Sequence, residues 1–128
     1  MKLQPIKIVD TSGAKLTVQK TGRFGLSKNA AEILEVNEEE TSYRFCMFLT
    51  NEEEGDSALY MEMFTAKQDY CLEIRKSGMY YYIKAEALFA ERNIDYRNTS
   101  VTIIFDIEPL NIKERKVYKL SKRVIEKK

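Results

Sequence analysis

Two segments of the chain, KTGRFGLSK (20–28) and KSGMYYYIK (76–84), combine cationic side chains with a glycine suited to a tight turn. Each begins with lysine, a hydroxyl residue and glycine, each ends on lysine, and they lie 56 positions apart. Lysine and arginine are the side chains that neutralise phosphates, and the planar fork of arginine can grip a phosphate or a guanine edge in two places. The residue types therefore predict phosphate contacts from two related hairpins. Alternatively, these lysines only protect solvated strand edges.

The candidate nucleic-acid-binding residues are six cations and one tyrosine: Lys20, Arg23, Lys28, Arg75, Lys76, Lys84 and Tyr81. Tyr81 is the middle residue of a tyrosine triplet. Strand alternation predicts that Tyr80 and Tyr82 face the core, while Tyr81 points outward opposite Gly25 and could stack on a base. Alternatively, an exposed tyrosine simply suits a pleated surface.

Enzymatic chemistry finds little support in the composition. Histidine is absent, which removes the commonest general base and metal ligand. Cys46 and Cys71 lie in apolar stretches without a CxxC pair and are predicted to be reduced core thiols. The carboxylates form no recognisable metal loop or catalytic pair, and no nucleotide-binding or nucleophile motif is present. The sequence thus predicts a protein that is not an enzyme and has no cofactor and no metal.

The charge is unevenly distributed over the 128 residues, although its net value is only +1. Residues 1–30 carry six basic and one acidic side chain, residues 31–62 one and ten, and residues 113–128 eight and two. The acidic groups concentrate at 37–40 and 51–56, which are predicted to be turns. The basic end is predicted to be strand to Leu120 and to fray or form a short helix beyond Ser121. It could be a solubilising tail, or it could contact phosphates or an acidic partner.

Hydrophobic periodicity predicts the same arrangement of strands and a helix in two successive copies. The first copy has strands at 14–20 and 23–27, a helix at 28–36 capped by Ser27, and strands at 42–50 and 57–65. The second has strands at 69–76 and 79–84, a helix at 85–93, and strands at 100–108 and 115–121. A uniform shift of 56 superposes the two, with Gly22 on Gly78 and Phe24 on Tyr80. We expect residues 1–13 to be a lead-in strand, 14–65 and 70–121 to be two repeats of one domain, and 122–128 to be a basic tail.

The first copy, TGRFGLSKNAAEILEV, resembles the N-terminal domain of AbrB-type transition-state regulators and MazE-type antitoxins. The matching positions are Gly22, Arg23, Phe24, Leu26, Leu34 and Val36. The resemblance implies an α+β, mainly β fold in which strand–strand–helix–strand–strand units interleave their hairpins into a swapped-hairpin barrel. In this chain both units would lie on one polypeptide and form a pseudo-twofold barrel. The family's basic helix positions are occupied here by Ala31 and Glu32.

The resemblance implies a small DNA-binding regulator or antitoxin-like module that contacts the phosphate backbone of double-stranded DNA through two symmetric basic hairpins. The alternative is a protein-interaction or structural module of similar fold that does not bind nucleic acid. No apolar run approaches the roughly 18 residues of a membrane helix, and the N-terminus lacks the features of a signal peptide. We therefore expect a cytoplasmic monomer or homodimer that does not associate with membranes.

Overall fold

The structure is a computed structural model that describes residues 1–4, 13–36, 43–51, 58–98 and 100–126. The described residues form eight strands and two short helices. In chain order these are β1 (Lys15–Gln19), β2 (Arg23–Leu26), α1 (Lys28–Ile33), β3 (Phe45–Thr50), β4 (Leu59–Phe64), β5 (Leu72–Ser77), β6 (Tyr80–Lys84), α2 (Glu86–Glu91), β7 (Val101–Pro109) and β8 (Val117–Glu126). The predicted lead-in strand and the acidic turns at 37–40 and 51–56 lie mostly or wholly outside the described residues. The mainly β character predicted from the sequence is confirmed.

The strands close into one antiparallel barrel in the order β1-β2-β6-β5-β3-β4-β8-β7. Its units are four hairpins, and those from the first half of the chain alternate around the barrel with those from the second. This strand order is also unchanged when the two halves of the chain are exchanged. If β1, β2, β3 and β4 are swapped with β5, β6, β7 and β8 respectively, the same pairs of strands remain neighbours. Closure pairs the strand edges that an open sheet would leave exposed.

The core fills the inside of the barrel and centres on Phe24, whose side chain is fully buried. Its ring meets Phe89 of α2 edge to face, with the ring centres 4.9 Å apart. The ring centres of Phe105 in β7 and Phe48 in β3 each lie 5.6 Å from the ring centre of Phe24. Such aromatic pairs add to the stabilisation that apolar burial itself provides. One residue of the first hairpin therefore joins elements from both halves of the chain.

Both helices end in the same way, on a residue with left-handed backbone. Glu35 after α1 has φ 57° and Asn93 after α2 has φ 56°. The amide of Val36 donates to the carbonyl of Ala31, and the amide of Ile94 donates to that of Phe89. This is the Schellman arrangement, which satisfies carbonyls at a helix C-terminus. The starts differ: Ser27 caps α1 by accepting from the Ala30 amide, as predicted, whereas Ala85 before α2 offers no side-chain cap.

The uniform shift of 56 is wrong in detail, because the two leading hairpins have turns of different length. Gln19 and Arg23 pair across three turn residues, whereas Ser77 and Tyr80 pair across only two. Gly22 and Gly78 do both adopt positive φ, at 83° and 61°. An ungapped alignment therefore matches the glycines but cannot keep both strands in register. It places buried Phe24 on Tyr80, which is 76% exposed.

The end of the chain also differs from the prediction. β8 runs to Glu126, and its residues beyond Leu120 pair with the start of β7, neither fraying nor forming a helix. Ile103 lies opposite Val124, and Arg123 forms an ion pair with Asp106. β7 itself includes Pro109, one residue beyond the end of the predicted strand at 100–108. The long β7 strand thus supplies hydrogen-bonding partners that local sequence could not reveal.

Candidate nucleic-acid interface

The two hairpins that carry the predicted cations lie side by side in the barrel. β2 pairs with β6, so that β1, β2, β6 and β5 form four consecutive strands of one surface. In the β2–β6 ladder Arg23 is directly opposite Lys84. In the β5–β6 ladder Arg75 is opposite Tyr82, and Lys76 is opposite Tyr81. The pairing of the hairpins brings Arg23, Lys84 and Arg75 onto one face of the sheet. Lys76 lies on the other face with Tyr81, its ammonium 5.7 Å from the centre of that ring.

Lys20 and Lys28 flank this surface rather than lie within it. Lys20 is an exposed residue of the turn between β1 and β2. Lys28 is the exposed first residue of α1, immediately after the opposite end of β2. The predicted cations therefore extend along the full length of β2 and across β6 and β5.

Each side chain of the tyrosine triplet (80–82) lies on the face of the strand opposite to the predicted one. Ile83, which is fully buried, lies opposite Phe24, and this inward pair fixes the alternation of β6. Tyr81 consequently lies on the inward side, partly buried against the core. Tyr82 instead lies opposite Gly25 on the outer surface, and Tyr80 is exposed beside it. The error arose because the prediction aligned Tyr80 with Phe24, although β6 contains one strongly apolar residue that should be buried.

Arg23 and Tyr82 form a cation–π contact on the outer surface. The guanidinium carbon lies 4.3 Å from the centre of the ring. Stacking uses the face of the guanidinium and leaves its in-plane N–H groups available for an anion. Among the described residues, no carboxylate lies within ion-pair distance of Arg23. Arg75, by contrast, has Glu73 at 3.9 Å.

A groove of about 450 Å³ runs over this surface. We call it the tyrosine groove; its lining includes Tyr80, Tyr82, Gly25, Arg23, Lys15 and Gln19. The side chain of Gln19 covers Gly25, since a β-carbon there would come 2.4 Å from the Gln19 amide nitrogen. Sequence reasoning missed the contribution of Tyr80, Tyr82 and Gln19. The available signal was the glycine inside a short strand, which often marks close approach of another group.

A second concavity, of about 490 Å³, lies between the end of α2 and strands β4 and β8. It contains Glu91, Arg92, Lys119 and Lys122, and none of the predicted binding residues lines it.

The two cysteines, which were predicted to be reduced core thiols, differ in burial. Cys46 is buried, and burial is the main reason that its pKa is raised well above the ordinary value, with a smaller contribution from Cys71. Cys71 is only partly buried, and both are free thiols.

The described part of the chain contains no cluster of metal-ligating side chains. Nor does it contain a helix with the length and apolar character needed to cross a bilayer. Comparisons with protein-family models, with curated proteins and with solved structures gave no match to this chain.

Proposed function

We propose that this protein is a small DNA-binding regulator or antitoxin-like module that contacts the phosphate backbone through the outer surface of its two leading hairpins. The observation that carries the proposal is the pairing of β2 with β6, which sets Arg23 directly opposite Lys84. Phosphate binding requires several cations on one surface, because each contact releases a counterion and contributes only part of the affinity. Pairing of the hairpins gathers such a set from two distant segments.

We further propose that the chain is an internal duplication with a pseudo-twofold axis, which would relate it to the swapped-hairpin barrels of AbrB-type and MazE-type proteins. The alternation of hairpins and the invariance of strand neighbours under exchange of the halves support this proposal. The helix ends support it too, since Glu35 and Asn93 lie 58 positions apart and make equivalent hydrogen bonds. On this basis a single chain would present the surface that two chains present in that family.

A protein-interaction module is the second candidate, and exposed apolar side chains favour it. Met79 and Tyr80, at and beside the tip of the β5–β6 hairpin, are 90% and 76% exposed. Exposed apolar groups that are close together are typical of surfaces that bind another protein. Such a module would also act as a monomer or homodimer, without any nucleic-acid ligand.

The test is a salt titration of a fluorescently labelled duplex against the wild-type protein, Arg23→Ala and Lys84→Ala. Contacts to about six phosphates would weaken wild-type binding around a thousandfold between 50 and 200 mM salt. Each substitution should weaken binding to all duplexes and reduce the slope of log affinity against log salt by about one. Lys113→Ala, outside the hairpin surface, is the matched control and should bind as the wild type does.

Two results would contradict the proposal. Absence of duplex binding at 50 mM salt would leave the interaction module. Binding that is indifferent to Arg23 and Lys84 but lost in a Lys122→Ala, Arg123→Ala double variant would place the contact on β8.

A further inference from the structure

The tyrosine groove differs from the rest of the hairpin surface in its charge. Among the residues that the structure describes, its lining contains the cations Lys15 and Arg23 and no carboxylate. The residues around it also supply hydroxyl groups, from Thr17 and Ser77 among others. Its volume of about 450 Å³ is within the range of roughly 300–1,000 Å³ that small-molecule sites occupy. The groove is therefore suited to an anionic ligand of small size.

The groove also offers a surface for a flat ring. Tyr80 is 76% exposed, so that its ring is accessible to a ligand. The backbone of Gly25 lies outside the left-handed region, so the strand does not need glycine for its conformation. The absence of a side chain instead leaves room for Gln19, whose amide nitrogen lies 2.4 Å from the position of a β-carbon. The groove therefore offers the accessible ring of Tyr80 together with the polar amide of Gln19.

Arg23 connects the two properties. Its guanidinium is held against Tyr82, with the carbon 4.3 Å from the ring centre. This contact orients the N–H groups while leaving them without a carboxylate partner in the described chain. A charged group held beside an exposed aromatic ring matches a ligand in which a phosphate is attached to an aromatic base.

We infer that the tyrosine groove binds one unpaired nucleotide of a nucleic acid. The base stacks on Tyr80, and the adjoining phosphate accepts hydrogen bonds from Arg23 and Lys15. This inference rests on the proposed function, which it extends from backbone contacts to a preference for unpaired bases. Bases inside a duplex are stacked on one another and expose only their edges, so that the groove discriminates against fully paired DNA.

The experiment compares a labelled oligothymidine with a duplex of equal length, using the wild-type protein, Tyr80→Ala, Tyr80→Phe, Gly25→Val and Lys84→Ala. Tyr80→Ala should weaken single-strand binding by about 5- to 100-fold, the contribution of one stacked base, and leave duplex binding within about twofold. Tyr80→Phe keeps the ring and should restore single-strand binding. Gly25→Val should reproduce the loss, because its side chain would displace that of Gln19 into the groove. Lys84 does not line the groove, and Lys84→Ala should weaken both ligands alike.

The outcomes separate this inference from the proposed function. If Lys84→Ala weakens both ligands while Tyr80→Ala and Gly25→Val weaken neither, the groove inference is wrong and the backbone surface stands. Equal losses for single strand and duplex in Tyr80→Ala also overturn it. If the wild type binds neither ligand at 50 mM salt, both proposals fail. Unfolding midpoints of all variants, measured in urea, identify any that lose binding only because they lose the fold.

Discussion

The phenolic hydroxyl of Tyr118 in β8 donates a hydrogen bond to the backbone carbonyl of Ile33, the last residue of α1, over 3.0 Å. Tyr118 is almost fully buried. The carbonyls at the end of a helix have no partner within the helix, and a buried carbonyl without a partner is destabilising. The bond therefore completes the end of α1 with a group from the last strand and connects residues that are 85 positions apart.

We expect Tyr118→Phe to lower the free energy of unfolding by about 1–2 kcal/mol. The ring keeps its apolar packing, but the Ile33 carbonyl loses its donor in a buried position. Urea unfolding followed by circular dichroism measures the change. Tyr80→Phe, at an exposed position, is the control and should change the free energy by less than about 0.5 kcal/mol.

Stability should also fall at alkaline pH through the same side chain. Burial, followed by the effect of Tyr43, raises the pKa of Tyr118 to about 12. Below the unfolded pKa of about 10 both states hold the proton, so that pH has no effect through this group. Between these values the unfolded chain releases a proton that the folded protein retains, and the free energy of unfolding decreases as pH rises. Urea midpoints at pH 9 and 11 should differ less in Tyr118→Phe than in the wild type; an identical decrease would contradict this assignment.

The ion pair between Arg115 and Glu62 should contribute to stability, because Glu62 is a buried carboxylate that is only 8% exposed. The guanidinium of Arg115 contacts both carboxylate oxygens, at 2.7 and 3.0 Å. Arg115→Met would leave that acceptor without its charged partner, and we expect it to lower the midpoint of thermal unfolding. Arg123→Met breaks a similar pair with Asp106 in which both side chains are exposed, and it should lower the midpoint less. Equal losses in thermal unfolding would mean that burial of Glu62 contributes nothing.

The two turn glycines should respond differently to valine. Both have positive φ, so Gly22→Val and Gly78→Val should each destabilise the protein by roughly 1–3 kcal/mol through backbone strain. A β-carbon at Gly22 would in addition meet Glu86 at 2.2 Å, whereas at Gly78 it would meet nothing within 4 Å. The Gly22 variant should therefore have the lower urea midpoint. Replacing Glu86 by alanine in that variant should recover the difference.

Removal of residues 121–128 should reduce stability, because β8 is a paired strand as far as Glu126. Its last six residues pair with Val101–Asp106. Each cross-strand pair contributes about 0.2–1 kcal/mol, which predicts a loss of roughly 1–6 kcal/mol. Differential scanning calorimetry of the truncated and full chains checks this. An unchanged midpoint would restore the interpretation of this segment as a solvated tail.

Much of the local structure could be predicted because it depends on neighbouring residues. Ser27 was identified as a helix cap because a serine side chain can reach the backbone amide three residues ahead. Gly22 and Gly78 were identified as turns because glycine adopts positive φ without steric cost. The strand positions followed from alternation of apolar residues, and the described strands lie within a few residues of those predicted, except for β8.

The orientation of the tyrosines could not be predicted in the same way. Moving a strand by one residue turns every side chain to the other face, and the register of β6 is set by contacts of Ile83 with Phe24 and Ile74. These partners come from separate strands. A two-residue turn in one hairpin and a three-residue turn in the other changed that register without leaving a clear mark in the sequence.

The sequence by itself determined the two basic hairpins, the capped first helix and the mainly β character, all of which depend on short-range preferences of the chain. Only the tertiary structure decided that β2 pairs with β6, that Arg23 lies against Tyr82 and that β8 continues to Glu126. The reason is physical: hydrogen bonds between strands and packing across a closed barrel join residues far apart in the chain. Their free energy depends on the partner as much as on the residue itself.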